Sequence, residues 1–445
     1  AFVLSFFQQI SRPGESLFIL IFILFSNIGG GWFTSFTLID QSFRLLFFDV
    51  LLATLLGLLL IRISNKKTVR PFYLALLFMS LQLYWIKGFL IGSMEAGFGG
   101  AFGEARFYLS SLLFFSVLYF FKDRKDLILF IRIISLCSLY ICIAIFSFIV
   151  LEQGNYSAER YNPGNPIMTV MVWGLMIATF DFQHKTQLSA IPIRPEFLIA
   201  IYLAFIFLSG CRTMSIVALI FTVYSFILSP KIKFKAKLGI FLIFVLAGAV
   251  FSQTPPGQKI IEEQSSYLEK SQDSSKTYGA KTTFEWRLMM WQAFWDHIAD
   301  DPQRILWGRG FMTEQVNIES VHWKWGNETV RYVDSSMAHN DFMVILLSNG
   351  LIFTLVFVFL ILAYLWKGFR TKSSKKSKEL PLGELFSFFL IVLIFQSSFN
   401  ASFKHYGFSM MIWLVLGCMA HLFSLRKNHL PIPKQYSFFQ HKHKQ

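Results

Sequence analysis

Long apolar runs separated by short polar connections occupy most of the chain. An apolar run of about 20 residues is long enough to cross a membrane as a helix. On this criterion the sequence predicts about twelve spans, several of them short: 17–33, 43–63, 71–91, 105–121, 127–151, 166–182, 195–210, 212–228, 238–251, 342–366, 384–399 and 407–424. The predicted fold class is therefore an all-α polytopic membrane protein.

The polar stretches divide the chain into four predicted parts. Residues 1–251 form an N-terminal transmembrane bundle of about nine spans, and residues 252–341 form one large polar loop. Residues 342–424 carry the C-terminal transmembrane helices, and residues 425–445 form a basic tail. The large loop is the only part with enough polar chain to build structure outside the membrane.

One ambiguous stretch decides on which side of the membrane the later connections lie. Residues 195–228 could cross once as a long helix or twice as two short ones. We favour two spans with a turn at LSGCRTMS, because the Lys-rich connections then share one side. Each span has about 17 residues, the lower limit for an apolar core of about 30 Å. The turn is therefore expected to lie below the outer surface, together with Arg212.

Composition and charge support this arrangement. The chain is 54% hydrophobic and only 15% charged, and its mean hydropathy is +0.52. The net charge is +15, and Lys and Arg concentrate in alternate connections such as 231–237 and 367–378. The positive-inside rule places these connections and both termini in the cytoplasm, so the loop 252–341 is predicted to be periplasmic in a bacterium. A second interpretation of the charge is attraction to anionic headgroups or diphosphates.

Several kinds of site lack the residues they need. The four cysteines lie in or beside apolar runs, which predicts neither a disulfide framework nor a metal site: Cys137, Cys142, Cys211 and Cys418. We find no convincing Walker loop, Rossmann fingerprint or HExxH motif, so we predict no metal, no cofactor and no nucleic-acid partner. The first apolar run lacks a basic leader and a small-residue cleavage site, which favours a retained span over a secretory signal.

The large loop contains an amphipathic stretch, FEWRLMMWQAFWDHIADDP. Five apolar residues recur in it at helical spacing: Phe284, Leu288, Trp291, Trp295 and Ile298. A Trp-rich amphipathic helix is typical of a membrane interface, although the same pattern suits a small lid packed on itself. The Asp pair before Pro302 predicts a helix end, and the glycines of ILWGRGF predict a tight turn with close backbone approach.

Three residues are the main candidates for chemistry. Arg212 lies in the turn that dips into the membrane, where a charge is costly and often functional, although an Arg there could also reach the headgroups. Arg287 is either a surface charge or one of two guanidinium groups that bind a diphosphate. His339 precedes an apolar run, where it is either structural or a base at neutral pH.

Other polar residues support the site more weakly. Asn340 or Asp341 could cap the helix that follows His339. Arg106 and Arg160 face the same predicted side and could line a glycan groove, or they could be solvated loop charges.

Three pieces occur in chain order: SGCRT after a span, RLMMW and GRGF in the large loop, and AHNDF with NG at the next span. Together they resemble the O-antigen polymerase/ligase superfamily of bacterial inner membranes. The resemblance covers about residues 205–360. It implies a fold similar to that of metal-independent GT-C glycosyltransferases. By position, Arg212 and Arg287 resemble the family's essential arginines, and His339 resembles its essential histidine.

The resemblance also implies a reaction and its substrates. An undecaprenyl-diphosphate-linked glycan would be the donor, and a second glycan or lipid A-core would be the acceptor. The two arginines would stabilise the leaving diphosphate, and His339 would activate the acceptor hydroxyl for an inverting transfer. AHNDF leads us to favour an O-antigen polymerase, with membrane lipids and a chain-length regulator as partners. An O-antigen ligase is the alternative, and a lipid-linked glycan transporter, which predicts inverted repeats, is more remote.

Overall fold

The computed structural model of the protein describes most of the chain from residue 85 onward. The described residues are 17, 35–40, 43–46, 85–95, 97–151, 165–209, 211–227, 242, 252–253, 258, 283–299, 301–311, 315–318, 324–325, 328–329, 331–334, 339–370, 381–399 and 406–428. Four predicted spans lie wholly or mostly outside these residues: 17–33, 43–63, 71–91 and 238–251. Arg160 and most of the predicted tail 425–445 also lie outside them.

The described part of the chain is mainly helical, as predicted. Its helices are α1 Phe98–Leu109, α2 Leu112–Phe120, α3 Arg124–Leu151, α4 Asn165–His184, α5 Pro195–Leu208, α6 Arg212–Ile227, α7 Thr283–Ala299, α8 Pro302–Trp307, α9 Asp341–Arg370, α10 Leu382–Phe399 and α11 Tyr406–Asn428. Residues 85–95 are also helical. Three two-stranded antiparallel sheets accompany the helices in the described residues. They pair β1 Ser35–Asp40 with β2 Phe43–Leu46, β3 Gln315–Asn317 with β6 Tyr332–Asp334, and β4 Lys324–Trp325 with β5 Glu328–Thr329.

Four of the described helical segments are long and apolar enough to cross a membrane: Arg124–Ser147, Asp341–Arg370, Leu382–Phe399 and Phe408–Leu425. Three shorter apolar segments are Phe107–Phe120, Pro195–Leu208 and Thr213–Phe226. These segments confirm the predicted class, a multi-pass α-helical membrane protein. The total of twelve spans and the GT-C fold stay predictions.

The predicted pair of short spans in 195–228 is observed as two separate helices, α5 and α6, with Ser209 and Cys211 between them. The hydroxyl of Ser209 holds this turn: it donates to the carbonyl of Ile206 at 2.7 Å and accepts from the Cys211 N–H at 3.3 Å. A serine that bonds the nearby backbone in this way favours a turn over a continuing helix. The turn therefore has a local cause in the sequence, and α6 begins at Arg212 directly after it.

Two other predicted spans differ from the observed helices. The span 43–63 begins with a strand, because β2 pairs with β1. The span 105–121 is divided between α1 and α2 by a turn at Ser110 and Ser111. The Ser110 hydroxyl donates to the carbonyl of Phe107 at 2.6 Å, so it too competes with regular helical bonding. The hydropathy pattern did not predict this turn, because the two serine side chains are small and lie among apolar residues.

The packing around Phe388 in α10 fixes the relative directions of four helices. Its ring lies within 6.2 Å, centroid to centroid, of the rings of Phe180 in α4, Phe221 and Tyr224 in α6, and Phe369 in α9. These partners lie in the second halves of their helices, whereas Phe388 lies in the first half of α10. Helices α4, α6 and α9 therefore begin at one end of the bundle, where α10 finishes. We call it the His339 end, because His339 precedes α9.

Candidate functional site

Helix α9 is broken at Gly350, whose φ is 82° and ψ is 174°. Glycine tolerates this backbone conformation, which other residues rarely adopt. The break deprives carbonyls of the preceding turn of their usual helical donors. The N–H of Arg309 donates to the carbonyl of Leu347 at 3.0 Å, and the N–H of Gly310 donates to that of Ser348 at 3.0 Å. The GRGF stretch thus completes the hydrogen bonding of the broken helix.

The same stretch also packs against the helix formed by residues 85–95. The N–H of Phe311 donates to the carbonyl of Gly88 at 3.1 Å. A Cβ atom on Gly88 would lie 3.0 Å from the Phe311 ring, and one on Gly92 would overlap the Phe311 carbonyl oxygen. This confirms the predicted tight turn with close backbone approach. Residues 85–95, 308–311 and the break in α9 together form what we call the glycine junction.

Asn349 connects the glycine junction to α1. Its side chain is buried, and its Nδ2 donates a hydrogen bond to the hydroxyl of Tyr108. The Tyr108 ring stacks on Phe311 with centroids 5.0 Å apart, and it meets Phe353 edge-on. Sequence analysis did not select Tyr108 or Asn349, because both lie in apolar stretches. The one available signal was an amide within an apolar run, since a buried amide needs partners.

The backbone around His339 is fixed by a cap. The side-chain oxygen of Asn340 accepts hydrogen bonds from the N–H groups of Phe342 at 2.9 Å and Met343 at 3.2 Å. Capping therefore belongs to Asn340, and Asp341 is the buried first residue of α9. His339 has a φ of 47°, which is uncommon outside glycine. A conformation of this kind costs of the order of 1–3 kcal/mol and is concentrated at functional sites.

Arg287 and His339 interact electrostatically. Burial lowers the pKa of His339 below its usual 6.5, and the positive charge of Arg287 lowers it further. His339 is therefore neutral at neutral pH and able to accept a proton. Burial also lowers the pKa of Arg287, but a guanidinium stays charged at neutral pH. The Nε of Arg287 is buried, and none of the described residues accepts a hydrogen bond from it, so it has donor capacity for an anion.

Helix α7 holds Arg287 in place by packing on the first part of α9. The buried residues at this contact are Met290, Ala293, Phe294, Ile298, Val316, Ile318, Leu346 and Leu347. Of the predicted apolar stripe, Leu288 and Trp295 are 46% and 44% exposed, whereas Ile298 is buried. Helix α7 has one apolar side against the protein and a second that faces outward. The exposed side agrees with an interfacial helix, and the buried side agrees with a packed lid.

Short helix α8 connects α7 to the glycine junction. The carboxylate of Asp301 caps it by accepting from the N–H of Gln303 at 2.9 Å, and it pairs with the Arg304 side chain at 2.9 Å. The Asp pair predicted as a helix end thus also starts the next helix. Lys87 holds the other end of α8, because its Nζ donates to the carbonyl of Trp307 at 2.8 Å.

The remaining predicted residues are placed only by their backbones. Arg212 is the first residue of α6 at the His339 end, and Arg106 lies in α1. Their side chains are outside the described parts of the structure. The structure thus places Arg287 within electrostatic range of His339, while the participation of Arg212 and Arg106 stays a prediction. No cluster of three or more His, Cys, Asp or Glu side chains suited to a metal ion occurs among the described residues.

Fold and site together define a multi-pass helical membrane protein in which a neutral histidine precedes a broken helix and is influenced by the charge of a partly buried arginine. Residues 197–359 match the family model described as O-antigen ligase. The matched segment runs from α5 into α9 and contains Arg212, Arg287 and His339. This match confirms the resemblance to the O-antigen polymerase/ligase superfamily seen in the sequence. No curated protein matches the chain.

Proposed function

We propose that the protein is a membrane glycosyltransferase that moves an undecaprenyl-diphosphate-linked glycan onto a sugar hydroxyl. The observation that carries this proposal is the electrostatic influence of Arg287 on His339, both of which lie inside the segment that matches the O-antigen ligase family. Transfer from a lipid diphosphate needs a base for the attacking hydroxyl and a cation for the leaving group. A neutral histidine and a partly buried arginine offer both.

On the acceptor side, His339 takes the proton of the attacking hydroxyl. The hydroxyl oxygen forms the new bond to the anomeric carbon, and the bond from that carbon to the diphosphate oxygen breaks. The electron pair of the broken bond stays on the diphosphate. Because attack and departure occur on opposite faces of the sugar, the transfer inverts the anomeric configuration.

On the donor side, Arg287 binds the diphosphate, and Arg212 is proposed as its partner. Negative charge grows on the leaving diphosphate during the reaction, so fixed guanidinium donors stabilise the transition state more than the ground state. The buried Nε of Arg287 is one such donor. Loss of a single preorganised donor typically costs about 10²-fold or more in rate. This chemistry requires no metal ion in the proposed mechanism.

The proposed location is the bacterial inner membrane, with the site facing the periplasm. The distribution of Lys and Arg along the chain supports this orientation. The exposed Leu288 and Trp295 support a position of α7 at the membrane surface, since Trp prefers that zone. Arg287 would then lie at the depth where a lipid carries its phosphates.

Two acceptors suit this chemistry. The likeness of AHNDF to polymerases favours a growing O-antigen chain, with a chain-length regulator as a further partner. The description of the matched family, O-antigen ligase, favours lipid A-core. We propose polymerisation as the function and ligation as the alternative.

Disruption of the gene separates these functions. In a strain that makes O-antigen, loss of a polymerase leaves lipid A-core with a single repeat unit on a lipopolysaccharide gel. Loss of a ligase leaves bare core and accumulated lipid-linked polymer. Restoring the gene should restore the ladder in either case, whereas a His339→Ala copy should not. An unchanged ladder in the disrupted strain would overturn both O-antigen functions.

A further inference from the structure

Gln396 and Ser397 form a buried polar pair near the end of α10. Both residues have no exposed surface. Neither the amide atoms of Gln396 nor the hydroxyl of Ser397 has a hydrogen-bond partner among the described residues. The neighbouring Ser398 differs, because its hydroxyl donates to the carbonyl of Ile394 at 2.9 Å within its own helix. Buried polar groups without partners are rare in native proteins and point to a bound group that supplies the missing bonds.

The periodicity of α10 places Gln396 against the start of α4. Gln396 follows Phe389 by seven residues, which is close to two helical turns, so both residues lie on the same face. Phe389 stacks on Trp173 of α4 with ring centroids 4.7 Å apart. Moving seven residues along α10 advances about 10 Å toward the His339 end. On the antiparallel α4, the same step from Trp173 reaches its first turn, which begins at Asn165.

The first turn of α6 lies beside the second turn of α4. The hydroxyl of Thr169 in α4 lies 4.0 Å from the sulfur of Met214 in α6. Gln396 is therefore near two helix N-termini, and Arg212 is the first residue of the second helix. Helix N-termini carry partial positive charge and N–H groups that bind anions.

We propose that Gln396 and Ser397 bind the diphosphate end of the lipid-linked donor, together with the first turns of α4 and α6. This inference rests on the proposed function, which supplies the diphosphate. The Gln396 amide and the Ser397 hydroxyl donate to phosphate oxygens, and the amide oxygen accepts from a hydroxyl of the adjoining sugar. Because α10 lies outside the segment 197–359, the family match does not assign these residues.

The test measures binding of undecaprenyl diphosphate to the purified full-length protein in lipid nanodiscs. Gln396→Leu and Ser397→Ala should each raise the Kd by about tenfold, since each removes hydrogen bonds to a charged group. Gln396→Glu should weaken binding further, because it adds like charge. The thermal midpoint without ligand should stay level or rise in Gln396→Leu, because the variant removes a buried amide that lacks partners.

Two control variants make the same chemical changes away from the proposed subsite. Ser398→Ala removes a hydroxyl that bonds its own helix, and Gln183→Leu removes an amide that donates to the Ser225 carbonyl at 2.6 Å. Both should leave the Kd unchanged. If Gln396→Leu and Ser397→Ala bound undecaprenyl diphosphate with wild-type affinity, this inference would be overturned and the proposed function would stand. If the wild-type protein failed to bind undecaprenyl diphosphate, both the proposed donor and this inference would be contradicted.

Discussion

Gly308 and Gly350 approach each other so closely that a Cβ atom added to either would lie 2.5 Å from the amide nitrogen of the other. Gly308 ends α8, and Gly350 marks the break in α9. Both have a positive φ, 68° and 82° respectively. The loop that carries Arg309 can therefore lie on the helix that follows His339 only because neither position has a side chain.

Replacing Gly350 with alanine should lower the free energy of unfolding by about 2–4 kcal/mol, through the positive φ and the steric overlap together. The added methyl group would overlap the carbonyl oxygen of Leu306. Denaturation of the purified protein in detergent measures the loss. Gly97→Ala is the matched control, because Gly97 has a φ of 83° but no atom within 4 Å of its added Cβ. Equal losses in the two variants would show that close packing at Gly350 is unimportant.

Replacing His339 should separate activity from stability. His339→Gly relieves a positive φ, so its unfolding free energy should equal or slightly exceed that of the wild type. Transfer from purified lipid-linked donor should nevertheless fall at least about 10²-fold, because the base is absent. His339→Asn, which also tolerates this φ, should lose activity to the same extent. Full transfer by either variant would remove His339 from the role of base.

The pH dependence of transfer should report the pKa of His339. Burial and Arg287 hold this pKa below 6.5, so the base stays neutral until the pH falls below that value. Arg287→Gln removes the second cause, so the pKa rises toward 6.5 and residual activity is lost at a higher pH. Folding stability changes in the same direction as activity when the pH falls. The unfolded chain binds the proton more readily than the folded protein, so unfolding becomes easier below pH 6.5.

Rates measured across that pH range, together with histidine NMR titration, check this shift. Arg304→Gln is the control, because Arg304 pairs with Asp301 on α8 and the pKa of His339 does not depend on it. If Arg287→Gln lost its residual activity at the same acidic pH as the wild type, Arg287 would not influence the pKa of His339.

Loss of the cap on α9 should mainly lower the free energy of unfolding. Asn340→Ala leaves the N–H groups of Phe342 and Met343 without their acceptor, which should cost about 1 kcal/mol of unfolding free energy. Asn340→Ser, which retains a capping oxygen, should recover most of that loss. Chemical denaturation of the three proteins compares them directly. If alanine and serine proved equally stable, the cap would not contribute to stability.

Hydropathy predicted the positions of α3, α4, α10 and α11 to within a few residues. A run of about 20 apolar residues has few alternatives to a membrane helix, because its backbone N–H and C=O groups must hydrogen-bond to one another within the membrane. The turn before Arg212 was also predictable, since two spans kept the basic connections on one side. In each of these cases the information is local or is contained in the distribution of charge.

The break at Gly350 could not be predicted in this way, because it depends on a partner. Asn349 and Gly350 lie within an apolar run that reads as one helix, and only their contact with residues 308–311 interrupts it. Periodicity predicted one apolar side of helix α7, but not the second side, where Met290 and Phe294 pack against α9. The pairing of Arg287 with His339 was expected only from the family resemblance, since residues distant in sequence carry no common pattern.

Helix α9 is held on both sides of the break at Gly350. Leu346 and Leu347 pack with α7, whereas Ile345, Phe353 and Phe357 pack in the bundle. The segment that follows His339 is therefore fixed by α7 and by the bundle together, and by the N–H groups of Arg309 and Gly310 at the break. Because glycine adopts this backbone conformation at little cost, one residue without a side chain sets the position of the proposed base relative to the bundle that holds Gln396.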